Sequence, residues 1–278
     1  MKKSISFTLF GNNRRYLNGA VQNAILSRGI FPDWDIIFYV WNNSRYSNLE
    51  KALETCLELN PKIIIKNFNF DDNDDFLKSL NPKMLRYLIH DDNNYDFYWI
   101  RDIDTNLNLR CRKVIEWILT QDIKFGSIND YINNKWASYF TSSGLIGRPG
   151  SFFNMKNEMN IFFNNHTNYY QIIKNTFGIN KLTSSTLYGL HSVILSKDSG
   201  LICQDKIPIE QKFYNIDEEF FRWLILKYRD KFISFVTEND VIERIKQDNI
   251  IYKQIIIPRL DNEDFMEKTT YYHNINLF

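Results

Sequence analysis

A surplus of charge of either sign is what this chain lacks. Its 34 Lys and Arg stand against 33 Asp and Glu, a formal net charge of +1 over 278 residues. Nucleic-acid phosphates and anionic membranes are held by excess basic side chains, so this balance argues against either as the main partner. Cysteine is scarce as well. Cys56, Cys111 and Cys203 are odd in number and far apart, with no Cys-x-x-Cys pair. That excludes a disulfide framework and points to a reducing compartment, the cytoplasm. No Cys/His cluster suggests zinc. Long apolar runs are missing too: nothing approaches the roughly 18 residues of a spanning helix, so no transmembrane segment is expected. The N-terminal SISFTLF is short, mixes Ser and Thr with apolar residues and breaks at Gly11-Asn12-Asn13-Arg14-Arg15, so it reads as a strand rather than a signal peptide. Neither Gly-x-x-x-x-Gly-Lys-Ser/Thr nor Gly-x-Gly-x-x-Gly occurs, which leaves a kinase-type phosphate cradle or a dinucleotide turn without support. No internal repeat or low-complexity linker marks a domain boundary.

What is present is a large apolar and aromatic content, 44% and 16% of residues, in a soluble globular composition. Strand and helix patterns alternate through the first half. Ser4–Phe10, Asp35–Asn42, Lys62–Asn69, Asp96–Arg101 and Asp122–Asn129 read as strands. Tyr16–Arg28, Tyr46–Leu59, a segment opened by Asn81-Pro82 and Arg110–Leu119 read as helices between them. Strands separated by helices imply βαβ units and a mostly parallel sheet. Beyond about residue 140 the pattern loosens, with helices expected over Phe152–Asn164, Thr186–Leu195 and Asp217–Tyr228. The fold class is therefore α/β: a single domain over 1–278, its central sheet flanked by helices, with a core to about 200 and a helical C-terminal extension over about 201–278. The acidic runs at 71–75 and 91–94 lie between elements and read as solvated loops without the glycine and distal Glu of a calcium loop.

The informative segment is YDFYWIRDIDTNLNLR, residues 95–110. A buried aromatic strand ends directly at Asp102 and Asp104. In open α/β sheets the ligand crevice lies outside the carboxyl ends of the strands. Two carboxylates at i and i+2 around a turn can reach one hard divalent cation, which takes oxygen ligands and bridges to a diphosphate. The alternative is that these carboxylates cap the helix that follows.

This Asp-x-Asp resembles the metal motif of glycosyltransferases with the GT-A fold, which use a nucleotide-sugar donor. Further blocks resemble the polysaccharide-type transferases of large DNA viruses and bacteria, in order over about residues 4–200. They are ISFTLFGNNRRYLNGAVQNAILSRGIFPDWDIIFYV, MLRYLIHDDNNYDFYWIRDIDTNLNLR, KVIEWI, INDYINNKWASYFTSSGLIG and YGLHSVIL. The resemblance implies a sugar transferred from a nucleoside-diphosphate sugar, UDP- or GDP-linked, to an acceptor hydroxyl of a glycan or glycoconjugate. It implies Asp102 and Asp104 holding Mn²⁺ or Mg²⁺, with the metal a Lewis acid toward the departing diphosphate. Phe7 to Gly11, with Phe10 and Gly11 foremost, would lie under the nucleoside. Arg86 and Arg101 would face the diphosphate, and Asp130 and the Ser143-Gly144-Leu145 turn would touch the donor sugar.

The chain also departs from the subgroup. His191-Ser192 stands where Asp-Gln is usual, and Asn129-Asp130-Tyr131 where Arg-Asp-His is usual. His191 is the candidate replacement for the missing carboxylate, as base, hydrogen-bond donor or metal ligand, and His273 in the aromatic tail is a second candidate third ligand. These changes open an alternative, a nucleotide-sugar or carbohydrate-binding relative without catalysis. A phosphotransferase of the haloacid-dehalogenase type also uses Asp-x-Asp, but its motif usually lies on the first strand, and here about three strands precede it. The oligomeric state is not legible.

Overall fold

The computed structural model describes residues 1–42, 47–69, 82–130, 144–165, 216–237, 242, 245–246 and 250–257. Eight strands form one sheet. They are β1 (Lys3–Phe10), β2 (Asp35–Asn42), β3 (Ile63–Asn69), β4 (Phe97–Ile100), β5 (Phe125–Asn129), β6 (Leu145–Gly147), β7 (Phe232–Val236) and β8 (Ile251–Gln254). Their order is β3-β2-β1-β4-β6-β5-β7-β8. All neighbours are parallel except β6, which runs antiparallel to β4 and β5. The α/β class with a mostly parallel sheet is as expected.

The strands alternate between two cores, as the period of two requires. Ile5, Phe7 and Leu9 of β1, Ile36, Phe38 and Val40 of β2, and Phe97 and Trp99 of β4 face one apolar layer. Helices α1 (Arg14–Ile30), α2 (Ser47–Leu59) and α3 (Leu109–Leu119) close that side through Leu17, Val21, Ala24, Leu49, Ala52, Val114, Ile115 and Ile118. Tyr39, Trp41, Tyr98 and Ile100 face the other layer, beneath the 3₁₀ segment Pro82–Asp91, α4 (Met155–Asn165) and α5 (Ile216–Lys227). Both faces of β2 and β4 are therefore buried, which is why their sequences are near-continuous apolar runs.

Three features differ from the sequence reading. The segment opened by Pro82 winds as 3₁₀ over ten residues rather than as an α-helix, an unusual length for that geometry. Strand β1 holds its middle. Its other face carries Ser6 and Thr8, and these take the backbone of Arg86: Arg86 N–H donates to Thr8 Oγ1 at 3.0 Å and Arg86 C=O accepts from Ser6 Oγ at 2.9 Å. Second, β6 begins at Leu145, the last residue of the expected Ser143-Gly144-Leu145 turn, and β7 and β8 extend the sheet past the expected C-terminal helix, α5. Third, the 91–94 run is not simply solvated. Asp91 accepts the N–H groups of Met155 and Lys156 at 2.7 and 2.8 Å, at the start of α4, and Asp92 pairs with Lys66 at 2.6 Å. The 71–75 run and the helix expected over Thr186–Leu195 lie outside the described residues. Among the described residues no helix is long and apolar enough to cross a membrane.

Candidate active site at the carboxyl ends of the strands

Strands β2 and β4 flank β1 on opposite sides, so the chain reverses its direction of travel across the sheet between β1 and β4. Ligands of open α/β sheets bind at such switch points. Here the carboxyl end of β1 is Phe10-Gly11 and that of β4 is Arg101-Asp102. Gly11 has φ +71°, and a Cβ on it would meet nothing within 4 Å, so the turn needs glycine for its backbone while the space before it stays open. Asn13 then caps α1, its side chain accepting from Arg15 N–H at 3.0 Å. Gly144 closes the other flank: its N–H donates to Ile100 C=O at 3.0 Å and its C=O accepts from Ile128 N–H at 2.9 Å.

Asp102 begins a turn in which Thr105 N–H and Oγ1 both donate to its C=O, at 3.2 and 2.7 Å. The following helix α3 is capped by Asn108, which accepts from Cys111 N–H at 2.8 Å. The cap is thus filled, and neither Asp102 nor Asp104 serves it. One Asp102 oxygen pairs with Arg86, while among the described residues no hydrogen bond reaches the other; the side chain is 38% exposed. Burial works against the Asp102 charge, but Arg86, with Arg101 and Lys83, more than offsets it and holds the carboxyl below its ordinary range. Asp104 shifts upward, through burial first and the like charge of Asp102 second, with the paired Arg15 opposing.

Helix α1 sets this turn. Asn23 Nδ2 donates to both Gly19 C=O, at 3.0 Å, and Ile103 C=O, at 2.9 Å. A Cβ on Gly19 would stand 2.4 Å from Ile103 C=O oxygen, so only glycine lets the helix approach this closely. The backbone between the two carboxylates is therefore held by α1.

Arg86 is buried in the same site. One guanidinium nitrogen serves Asp102 and, at 3.1 Å, Arg101 C=O; the other reaches Asp217 of α5 at 3.0 Å. Burial opposes the Arg86 charge, and Asp102 and Asp217 raise its pKa in spite of it. Arg101 takes a different place from its neighbour. Strand alternation turns it to the α1 side, fully buried, with its guanidinium 4.6 Å from the centre of the Trp99 ring and one nitrogen 3.4 Å from Asn106 C=O. Phe7 is likewise core, edge-on to Phe38, whereas Phe10 is half-buried near Tyr16. Asp130 is fully buried in an ion pair with Arg110, which also donates to Ile257 C=O at 3.2 Å. Ser143, His191 and His273 lie outside the described residues.

The structure thus brings together Gly11, Arg86, Asp102, Asp104 and Gly144, and adds Arg15, Gly19, Asn23 and Asp217. Arg15 had a sequence signal: two arginines in the first turn of a helix oppose its dipole, a local inconsistency of the kind functional sites carry. Among the described residues no group of three or more His, Cys, Asp and Glu forms a metal cage. The donor set still fits a hard divalent cation. Two carboxylates share one turn, Asp102 keeps an oxygen clear of the described residues, and the repulsion it exerts on Asp104 is what a cation would relieve.

No family model matches the chain, and no curated relative matches it. Among solved structures it is similar to a nucleotide-diphospho-sugar transferase of Desulfovibrio desulfuricans G20. The identity is 11%, over 58% of this chain and 68% of that one, with a TM-score of 0.33. It is similar to the PaToxG glycosyltransferase at 14% identity, over 81% and 87%, with a TM-score of 0.33. It is also similar to the galactosyltransferase LgtC, solved with donor and acceptor sugar analogues, at 12% identity, over 67% and 69%, with a TM-score of 0.32.

Proposed function

We propose that the chain is a divalent-cation-dependent glycosyltransferase that moves a sugar from a nucleoside-diphosphate sugar to an acceptor hydroxyl of a glycan. The carrying observation is the placement of Asp102 and Asp104 on one turn at the sheet's switch point, each carboxylate paired with an arginine, Arg86 and Arg15. The sequence resemblance to polysaccharide-type transferases supports the same reading.

In this reading Asp102 and Asp104 hold Mn²⁺ or Mg²⁺, which when bound supplies Lewis-acid neutralisation of the diphosphate as the sugar departs. The chain's own groups do the rest. Gly11 leaves its turn open for close approach of the nucleotide. Arg86, pinned at its backbone by Ser6 and Thr8, keeps a fixed positive charge behind Asp102 and holds that carboxylate ionised and oriented. Asn23 and Gly19 hold the backbone between the carboxylates. His191 is the proposed group on the sugar face.

The test is Mn²⁺-dependent binding of UDP and GDP by calorimetry. Asp102→Ala and Asp104→Ala should abolish it with the fold retained; unchanged binding in both would remove the assignment. The second reading is binding without transfer, favoured by an arginine on each carboxylate. Sugar release from a bound donor in the presence of Mn²⁺ decides against it.

A further inference from the structure

Asp217 lies far from the Asp-x-Asp turn in sequence, on the second residue of α5, yet it meets the same guanidinium. We infer that Asp217 is a positioning residue that tethers Arg86 so that Asp102 keeps one oxygen available to the cation and diphosphate. The inference rests on the function proposed above.

The geometry leaves Arg86 little freedom. Its backbone is fixed at both ends by Thr8 Oγ1 and Ser6 Oγ, at 3.0 and 2.9 Å. Its side chain is fixed by Asp217 Oδ2 at 3.0 Å on one nitrogen and by Asp102 and Arg101 C=O on the other. Asp217 is itself 5% exposed, and its C=O accepts from Tyr87 O–H at 3.3 Å, so helix and 3₁₀ segment are joined at this point. A guanidinium carries parallel donors that match a carboxylate two-to-two. Split between two carboxylates, it gives Asp102 a single bond. Released from Asp217, it can close on both Asp102 oxygens and compete with the cation. A partner that orients a ligating carboxylate is worth about 10- to 100-fold in metal affinity.

The measurement is Mn²⁺ affinity of the full chain, read from the free-ion electron paramagnetic resonance signal, alone and with UDP or GDP. Asp217→Asn keeps the shape and removes the charge, and should weaken Mn²⁺ by about 10- to 100-fold. Asp217→Glu restores part of the loss. In an Arg86→Gln background, Asp217→Asn should change nothing further, because the tether acts through Arg86. Equal affinity in Asp217→Asn and the parent, or a full additional loss in the Arg86→Gln background, overturns the tether. Circular dichroism checks the fold; if Asp217→Asn does not fold, Asp217→Ser takes its place, and unchanged Mn²⁺ affinity there overturns the tether. A parent chain that binds neither Mn²⁺ nor nucleoside diphosphate overturns the proposed function and the tether together. Parent binding with an indifferent Asp217 overturns the tether alone.

Discussion

Two glycines of one helix make opposite predictions for the same substitution. Gly19 and Gly29 both lie in α1, and alanine favours a helix over glycine by about 1 kcal/mol. At Gly29 a Cβ meets nothing within 4 Å. Gly29→Ala should therefore stabilise by about 0.4–1 kcal/mol, mainly by restricting the unfolded chain. At Gly19 a Cβ falls 2.4 Å from Ile103 O, 3.1 Å from Ile103 C and 3.3 Å from Asp104 Cα. All three are backbone atoms, so no side-chain rotation relieves the contact, and overpacking of this kind costs about 1–3 kcal/mol. The clash exceeds the propensity gain, and Gly19→Ala should destabilise by about 1–2 kcal/mol.

The functional consequence follows from where the displaced atoms lie. Moving Ile103 stretches its bond to Asn23 and shifts Asp104 relative to Asp102. Gly19→Ala should therefore weaken Mn²⁺-dependent nucleoside-diphosphate binding, while Gly29→Ala leaves it intact. Urea unfolding gives the stabilities and calorimetry the binding. If Gly19→Ala were as stabilising as Gly29→Ala, with binding unchanged, the close contact between α1 and the carboxylate turn would be refuted.

Other groups yield further tests. His90 is buried: Nδ1 lies 2.8 Å from Tyr98 O–H and Nε2 3.2 Å from Phe153 C=O, an arrangement that suits the neutral ring donating from Nε2. Burial depresses its pKa from 6.5 to about 4. Between those values the unfolded chain takes up a proton that the native one refuses, so this group's contribution falls with pH by about 3 kcal/mol over that window. His90→Phe should flatten that part of the urea-midpoint profile; an unaltered slope would argue against the buried neutral ring. Asp130→Ala strands the buried Arg110 charge and should cost about 3–5 kcal/mol in urea unfolding, and a loss below about 1 kcal/mol would mean that the pair opens to water. Burial raises the Cys56 thiol to about 12 and Cys111 to about 11. Iodoacetamide at neutral pH should therefore modify both in urea and neither in the native chain, as read by peptide mass mapping. Rapid native-state labelling of either would contradict the burial.

Legibility followed the distance over which each feature is encoded. Strands buried on both faces announce themselves as apolar runs, so β2, β4 and the carboxylates just past β4 could be placed from neighbouring residues alone. Strand β6 is three residues long, and its pairing with β4 and β5 is a long-range fact that no local period records. Within the 3₁₀ segment Pro82–Asp91, the backbone of Arg86 is held by hydroxyls some eighty residues earlier. Ser6 and Thr8 alternate with the apolar residues of β1, and polar side chains on a doubly covered strand have to find partners; that alternation was readable, its partner was not.

The same reasoning separates the site's arginines. Arg86 and Arg101 look equivalent as cations near an acidic motif, and only strand parity distinguishes them. Residues 98, 100 and 102 share one face of β4 and its continuation, so Asp102 turns toward the 3₁₀ segment and meets Arg86. Residues 99 and 101 share the other, so Arg101 lies on Trp99 inside the α1 layer. Asp104 lies within the turn at Asp102–Thr105, where strand parity no longer holds, and it is Arg15 at the start of α1 that receives it. Each carboxylate thus carries its own arginine, one from each layer of the fold. A cation at this rim would sit where both layers converge on one turn of chain.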